Sequence, residues 1–328
     1  MKKRSIGLAT AGLLALALTG CAAGGNAGGT SDGPKALDEL VVGFSQVGAE
    51  SGWRTANTTD IQGAFEEAGI ELKFSDAQQK QENQIKAIRS FIQQNVDVIA
   101  FSPVVESGWD TVLKEAKAAG IPVVLTDRAV DSADETLYES FIGSDFVEEG
   151  EKAGDWVVDE FADADSVTIA ELQGTTGSAP AVDRQEGFAD VIGEDSKFEI
   201  VASQSGDFTR SGGKQVTEAI LKSNPDIDLI FAHNDDMALG AIEALEAAGK
   251  KPGTDVKIVS IDAVKDGMTA LSEGQINFIV ECSPLLGDQL METVEKVAAG
   301  EEVEKRIVTE ETTFDQEQAT AALPDRKY

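Results

Sequence analysis

Between residues 40 and 281 the chain passes through nine short apolar runs, each separated from the next by a longer, mostly polar stretch. The runs fall at 40–45, 72–75, 98–102, 122–126, 166–172, 198–204, 229–232, 256–262 and 278–281. They are continuously apolar rather than alternating, the pattern of parallel strands covered on both faces. The intervening stretches carry helical spacing: Ile85, Ile88 and Ile92 recur at three and four residues, as do Ala238, Ile242 and Leu245. Gly69, Gly120 and Gly249 stand where such a helix ends just before the next strand. Serial βα alternation of this kind predicts an α/β protein with parallel sheets. At about 150 residues per domain the length suits two sheets, with a change near 141–145. A single closed barrel of eight βα units also fits the pattern. Periodicity alone leaves both open.

The first twenty residues follow a different logic. Lys2, Lys3 and Arg4 precede an apolar core at 6–18, and Leu18-Thr19-Gly20 leads into Cys21. A basic start, a short apolar core and a cysteine after small residues form the layout of a bacterial lipoprotein signal. The core falls short of the roughly 20 apolar residues that span a bilayer. The expectation is export, removal of residues 1–20 and acylation of Cys21, followed by a flexible Gly-rich tether through residue 37. Each buried methylene contributes about 0.8 kcal/mol, so two acyl chains hold durably. The membrane face is then the periplasmic side, or the outer face of a single-membrane cell. An ordinary signal with an incidental cysteine is the simpler rival.

Charge excludes some partners. Twenty-seven basic residues against 59 acidic ones give −32. Such a surface repels polyanions, so nucleic-acid binding, which neutralises phosphates with Lys and Arg, is not expected. Cys282 is the single cysteine besides Cys21, so no intramolecular disulfide framework is expected once Cys21 is acylated. Neither a cofactor nor a metal is expected, and the body is expected to be a monomer.

Ligands of open α/β sheets bind beyond the carboxyl ends of the strands. The residues there are Ser45, then Glu50, Trp53 and Arg54; Asp127 and Arg128; Asp145; Arg184; Phe208; Asn234; and Asp262. Carboxylates, guanidiniums, an amide and two aromatics suit a neutral polyhydroxylated ligand, whose hydroxyls both donate and accept. Each has a plainer reading. Asn234, Asp127 and Asp145 serve equally as caps, Trp53 and Phe208 as core aromatics, and Arg184 as a surface residue on a helix. Asp127→Ala and Asn234→Ala are each expected to abolish sugar binding and to leave stability within about 2 kcal/mol.

The same segments carry a family resemblance. The motifs are Gly43-Phe44-Ser45-Gln46, Glu50-Ser51-Gly52-Trp53-Arg54, Gln78-Gln79-Lys80-Gln81-Glu82-Asn83-Gln84 and Ser102-Pro103-Val104-Val105. They continue through Asp127-Arg128, Glu171-Leu172-Gln173-Gly174, Asp183-Arg184, Ser205-Gly206-Asp207-Phe208-Thr209-Arg210 and Ala232-His233-Asn234-Asp235-Asp236-Met237. From about residue 40 to 328 the chain resembles the sugar-binding components of ABC importers, in the ribose- and galactose-binding class. Within that class the galactofuranose-binding members are the most similar. The resemblance implies two Rossmann-like lobes joined by three crossing strands. One lobe comprises 38–142 with about 283–311, the other 143–282 with about 312–328.

The resemblance further implies that Trp53 and Phe208 flank a monosaccharide, galactofuranose being the expected one. Hydrogen bonds come from Ser45, Arg54, Asp127, Arg128, Arg184, Asn234 and Asp262, with Glu50 and Asp145 as additions. On the last crossing strand, where ribose-binding relatives carry a polar contact, either Glu281 or Cys282 faces the cleft. The implied partners are an ABC permease and its ATPase subunit.

Three rival functions share parts of this pattern. An enzyme would draw on His233, the only histidine, beside Asp235 and Asp236. However, no Gly-x-Ser-x-Gly elbow exists, and Gly206 to Lys214 lacks the spacing and the Ser or Thr of a phosphate loop. A sugar-sensing repressor needs a DNA-binding module where the export signal lies. A sensor subunit presenting a sugar or autoinducer to a membrane receptor would use the same lobes.

Overall fold

Parallel pairing gathers the apolar runs into two six-stranded sheets instead of one barrel. The first contains β1 (Val41–Gln46), β2 (Glu71–Asp76), β3 (Val98–Phe101), β4 (Val123–Thr126), β5 (Ser140–Gly143) and β11 (Arg306–Val308). The second contains β6 (Val167–Gln173), β7 (Phe198–Ser205), β8 (Leu229–Ala232), β9 (Lys257–Asp262), β10 (Phe278–Glu281) and β12 (Thr313–Phe314). Their orders are β11-β5-β4-β3-β1-β2 and β12-β10-β9-β8-β6-β7, so the two halves repeat one doubly wound topology. Every pairing is parallel except the short β10–β12 contact. This is a computed structural model that describes residues 35–328. The export signal, Cys21 and the tether up to residue 34 lie outside the described residues.

Helices cover both faces of each sheet. Around the first lie α1 (Gly52–Ala68), α2 (Gln81–Gln93), α3 (Asp110–Ala118) and α9 (Gly287–Ala298); around the second lie α4 (Phe146–Glu160), α5 (Ala179–Ile192), α6 (Arg210–Ser223), α7 (Asp235–Ala247), α8 (Lys265–Ser272) and α10 (Gln316–Ala322). Strands β3, β4 and β8 are buried along their whole length, as their unbroken apolar runs require. Phe44, Ile61, Phe65 and Leu290 pack on one side of the first sheet, and Ile99, Phe101, Trp109 and Leu113 on the other. Full burial of such side chains contributes about 1.5–3 kcal/mol each. Gly69 closes α1 at φ +74°, a left-handed conformation that costs glycine little.

The chain passes between the sheets three times, through Ser144 and Asp145, through 282–286 and through 309–312. Three strands were not among the nine apolar runs: β5, β11 and β12. All three are short, two of them edge strands, and β11 carries a single central apolar residue, Ile307, between Arg306 and an exposed Val308. Their pairing depends on partners far away in sequence. No described helix is long and apolar enough to cross a membrane.

Candidate functional site: a polar cavity between two lobes

The carboxyl ends of the strands in the two lobes enclose a cavity with an empty volume of about 290 Å³. Glu50, Ser51, Trp53, Arg54, Asp127 and Arg128 line it from the first lobe; Pro180, Arg184, Phe208, Asn234 and Asp262 line it from the second, and Cys282 from the middle crossing. Contacts across the mouth hold the lobes together: the Gly52 N–H donates to Asp236 Oδ2 at 2.7 Å, and the Glu106 N–H to the Gly177 carbonyl at 2.9 Å.

Local structure places these groups. Ser51 caps α1, its Oγ accepting the Arg54 N–H at 3.0 Å, so Trp53 and Arg54 leave the first turn towards the cavity. The Trp53 indole donates to the Cys282 carbonyl at 2.7 Å, which ties α1 to the middle crossing. Asn234 caps α7 through Oδ1, which accepts the Met237 N–H at 3.0 Å, while Nδ2 donates to the Phe208 carbonyl at 3.2 Å. Phe208 has φ +59°, and Asp127 has φ +65°. Such backbone is uncommon for non-glycine residues and costs of order 1–3 kcal/mol. Gly174 has no side chain to obstruct the Phe208 ring: a β-carbon there would lie 1.9 Å from Cζ.

Arg54 is fully engaged on its own lobe. Its Nε meets Glu50 Oε1 at 3.0 Å, one terminal nitrogen donates to Gln46 Oε1 at 3.1 Å, and the other reaches Asp127 Oδ2 at 2.7 Å. Asp127 Oδ2 also accepts from Ser102 Oγ at 2.7 Å. Burial works against the Asp127 carboxylate, but the Arg54 and Arg128 guanidiniums outweigh it and hold its pKa below the usual value. Burial, reinforced by repulsion from Arg54, pushes Arg128 down to about 10. In the second lobe, burial and the neighbouring Asp235 carboxyl raise Asp262 well above the ordinary range.

Charges around the cavity nearly cancel. Glu50, Asp127 and Glu149 face Arg54, Arg128 and Arg184, and burial favours the neutral form of Asp262. Cations stack on the aromatic walls, Arg54 4.7 Å from the Trp53 ring centre and Arg128 5.3 Å from that of Phe208. Among the described residues, Glu50 Oε2, Arg128 Nε and Asp262 Oδ2 are buried without a hydrogen-bond partner. Buried polar atoms of this kind are rare and call for an explanation.

Nine of the eleven residues singled out from the sequence thus meet at one cavity. Two do not. Ser45 is wholly buried in β1, outside the lining; its neighbour Gln46 is the residue that reaches Arg54. Asp145 caps α4, its Oδ1 accepting the Glu148 N–H at 3.1 Å, and it borders an outer groove instead. Ser51 and Pro180 line the cavity without having been singled out as contacts. Of the two possibilities read from the sequence, Cys282 faces in from the middle crossing, whereas Glu281 turns away to Arg326 at 2.7 Å.

His233 is wholly buried, with Nε2 3.1 Å from Glu171 Oε1. Burial lowers its pKa against the pull of Glu171, so it is neutral at pH 7. Its side chain does not line the cavity. Its carbonyl accepts from Arg184, whose Nε is bound to Glu149 Oε2 at 2.7 Å. Glu149, Cys282 and Glu311 bring one ligating atom each within 4.8 Å of one another. A guanidinium already neutralises Glu149, and Ser144 and the Ser283 N–H bond Glu311. The cluster therefore suits a proton better than a metal.

Two doubly wound lobes, three chain crossings and a charge-balanced polar cavity between them define a bilobal ligand-binding protein. The chain belongs to the periplasmic binding protein domain family, whose profile matches residues 42–302. The galactofuranose-binding protein YtfQ of Escherichia coli K12 is 46% identical over 292 residues, covering 88% of this chain and 92% of that one. A Mycobacterium smegmatis protein crystallised with β-D-fucofuranose is 65% identical with a TM-score of 0.87, covering 88% of this chain and 95% of its own. The binding protein of an arabinose ABC transporter from Shewanella sp. ANA-3, bound to α- and β-L-arabinofuranose, is 48% identical with a TM-score of 0.84, at coverages of 88% and 96%.

Proposed function

We propose that this protein captures a monosaccharide in its five-membered furanose form between its lobes and delivers it to an ABC permease from a lipid anchor on Cys21. The observation that carries the reading is the set of unpartnered buried polar atoms around a cavity of nearly zero net charge. A neutral polyol supplies both donors and acceptors to such groups without adding charge, and bonds to charged partners contribute about 1.5–3 kcal/mol each. Similarity to proteins whose descriptions name galactofuranose, fucofuranose and arabinofuranose supports the ring form. A sugar touching both lobes favours the closed arrangement by its differential affinity, which is the shape a permease would distinguish. Binding without turnover is the reading here, since the single histidine is neutral and its side chain lies outside the cavity lining.

Calorimetric titration of residues 35–328 with galactose, L-arabinose, ribose and glucose tests this. With injections faster than ring interconversion, a furanose-selective site gives an apparent stoichiometry far below one per galactose added, because furanose is the minor form in water. Full stoichiometry with a pyranose-dominated sugar overturns the ring form, and silence with every sugar overturns the function.

Asn234→Ala provides a separate check. It removes the α7 cap, at about 1 kcal/mol, and the amide that holds the Phe208 carbonyl. Sugar affinity is expected to fall about tenfold or more, ~1.4 kcal/mol. Unchanged affinity with lowered stability would show that Asn234 is only a cap.

A further inference from the structure

Glu311 and Ser144 each join all three crossings, Ser144 Oγ meeting Glu311 Oε1 and, at 3.4 Å, the Cys282 Sγ. Glu311 lies on the third, and its Oε1 accepts from Ser144 Oγ on the first and from the Ser283 N–H on the second, the latter at 2.8 Å. Its carboxyl stands beside Glu149 and the Cys282 thiol. Glu149 in turn holds Arg184, a cavity residue, at 2.7 Å, and its other oxygen, Oε1, is buried with no partner among ionised groups. A proton on Glu311 gives that oxygen its donor.

We propose that Glu149 and Glu311 share one proton, and that this proton couples Arg184 in the sugar cavity to the three crossings that govern lobe closure. The two are positioning residues, since neither lines the cavity. The proton resides on Glu311, because the Arg184 guanidinium works against the burial that raises the Glu149 pKa. Burial and the adjacent Glu149 push the Glu311 pKa up to about 9. Loss of the proton to water leaves two adjacent carboxylates and one guanidinium. Repulsion then separates the third crossing from α4, and Glu311 competes for Arg184.

Other charged groups face the pair. Arg184, Asp262 and Cys282 lie on the cavity side, Arg306 sits over the first crossing, and Asp145, Glu148, Lys152 and Glu310 border the outer groove through which the proton exchanges. A carboxyl whose pKa is higher in the folded state stabilises the fold fully below its unfolded value, near 4.5 here, and that contribution is lost as pH rises through about 9.

The sugar arm of the test rests on the proposed function; the spectroscopic arm does not. Infrared difference spectra of the sugar-free wild type minus Glu311→Gln at pH 7.5 are expected to show one protonated-carboxyl band beyond that of Asp262, which is common to both proteins, and that band disappears by pH 10. Absence of that band from the difference spectrum at pH 7.5 overturns the shared proton. Affinity for galactose or L-arabinose, whichever titrates, is expected to fall about fivefold or more from pH 7.5 to pH 10. Glu311→Gln, an isosteric neutral donor, is expected to show less than half of the wild-type loss across that range, the remainder being that of Arg128, whose pKa burial pushes down to about 10. Half or more of the alkaline loss in the variant, or a flat wild-type profile alongside a titrating carboxyl band, overturns the coupling.

Discussion

Asp127→Asn is expected to weaken sugar binding about 100-fold or more, ~2.7 kcal/mol, and to do so more through charge than through shape. Asparagine tolerates the left-handed backbone that Asp127 adopts at φ +65°. It also retains an oxygen for Ser102 and Arg54, which both bond Oδ2. What disappears is the negative charge that balances two buried guanidiniums, together with a charged acceptor for a sugar hydroxyl, worth about 1.5–3 kcal/mol. Asp127→Ala is a harsher change than the sequence alone suggested. Removing one member of a buried pair leaves the other uncompensated, at about 3–5 kcal/mol, beyond the expected limit of about 2 kcal/mol. Urea melts and calorimetric titration on both variants check this. Near-normal affinity in the asparagine variant would remove Asp127 from the binding site.

Gly174→Ala is expected to produce a loss of similar size from a residue whose own side chain is a hydrogen atom. The added β-carbon would lie 1.9 to 2.3 Å from three atoms of the Phe208 ring, far inside contact distance. Phe208 has little freedom to yield. Its backbone sits at φ +59°, and its carbonyl is bonded by Asn234. The ring must therefore rotate into the cavity or out of its wall. Overpacking costs about 1–3 kcal/mol of stability, and affinity falls about 100-fold, since an obstructed cavity of this size cannot close on a ligand. Phe208→Ala is expected to lose affinity too. The double variant should lose less than the sum of the singles, because both act through one ring. Additive losses would place Gly174 outside the Phe208 wall.

Much of the fold was legible because it rests on local pattern. The apolar run at 229–232 and β8 coincide, since a strand buried on both faces has no polar position to blur its ends; β10 matches the run at 278–281 although its two ends are only half-buried. The polar residues clustered after those strands were legible for a related reason: at the carboxyl edge of a doubly wound sheet they have no packing role. Edge strands lack that signature. β11, with only Ile307 at its centre, is a strand because Phe141, Ile142 and Gly143 pair with it from 165 residues away.

The remaining decisions belong to tertiary structure. Ser45 and Gln46 are adjacent on β1, and side chains alternate along a strand. Which of the two meets the site is settled by register and the position of α1, and Gln46 meets it through Arg54. Asp145 and Asn234 are both caps; one borders an outer groove and the other the cavity, because α7, unlike α4, begins at the cavity. Glu149 and Glu311 lie 162 residues apart in the chain, and no periodicity or motif joins them. The sequence by itself determined the class of fold and the polar edges that face a ligand, through short-range patterning that each segment carries alone. Only the packed structure decided which neighbours share a proton, a guanidinium or a cavity wall, because those choices depend on distances between segments that the chain brings together last.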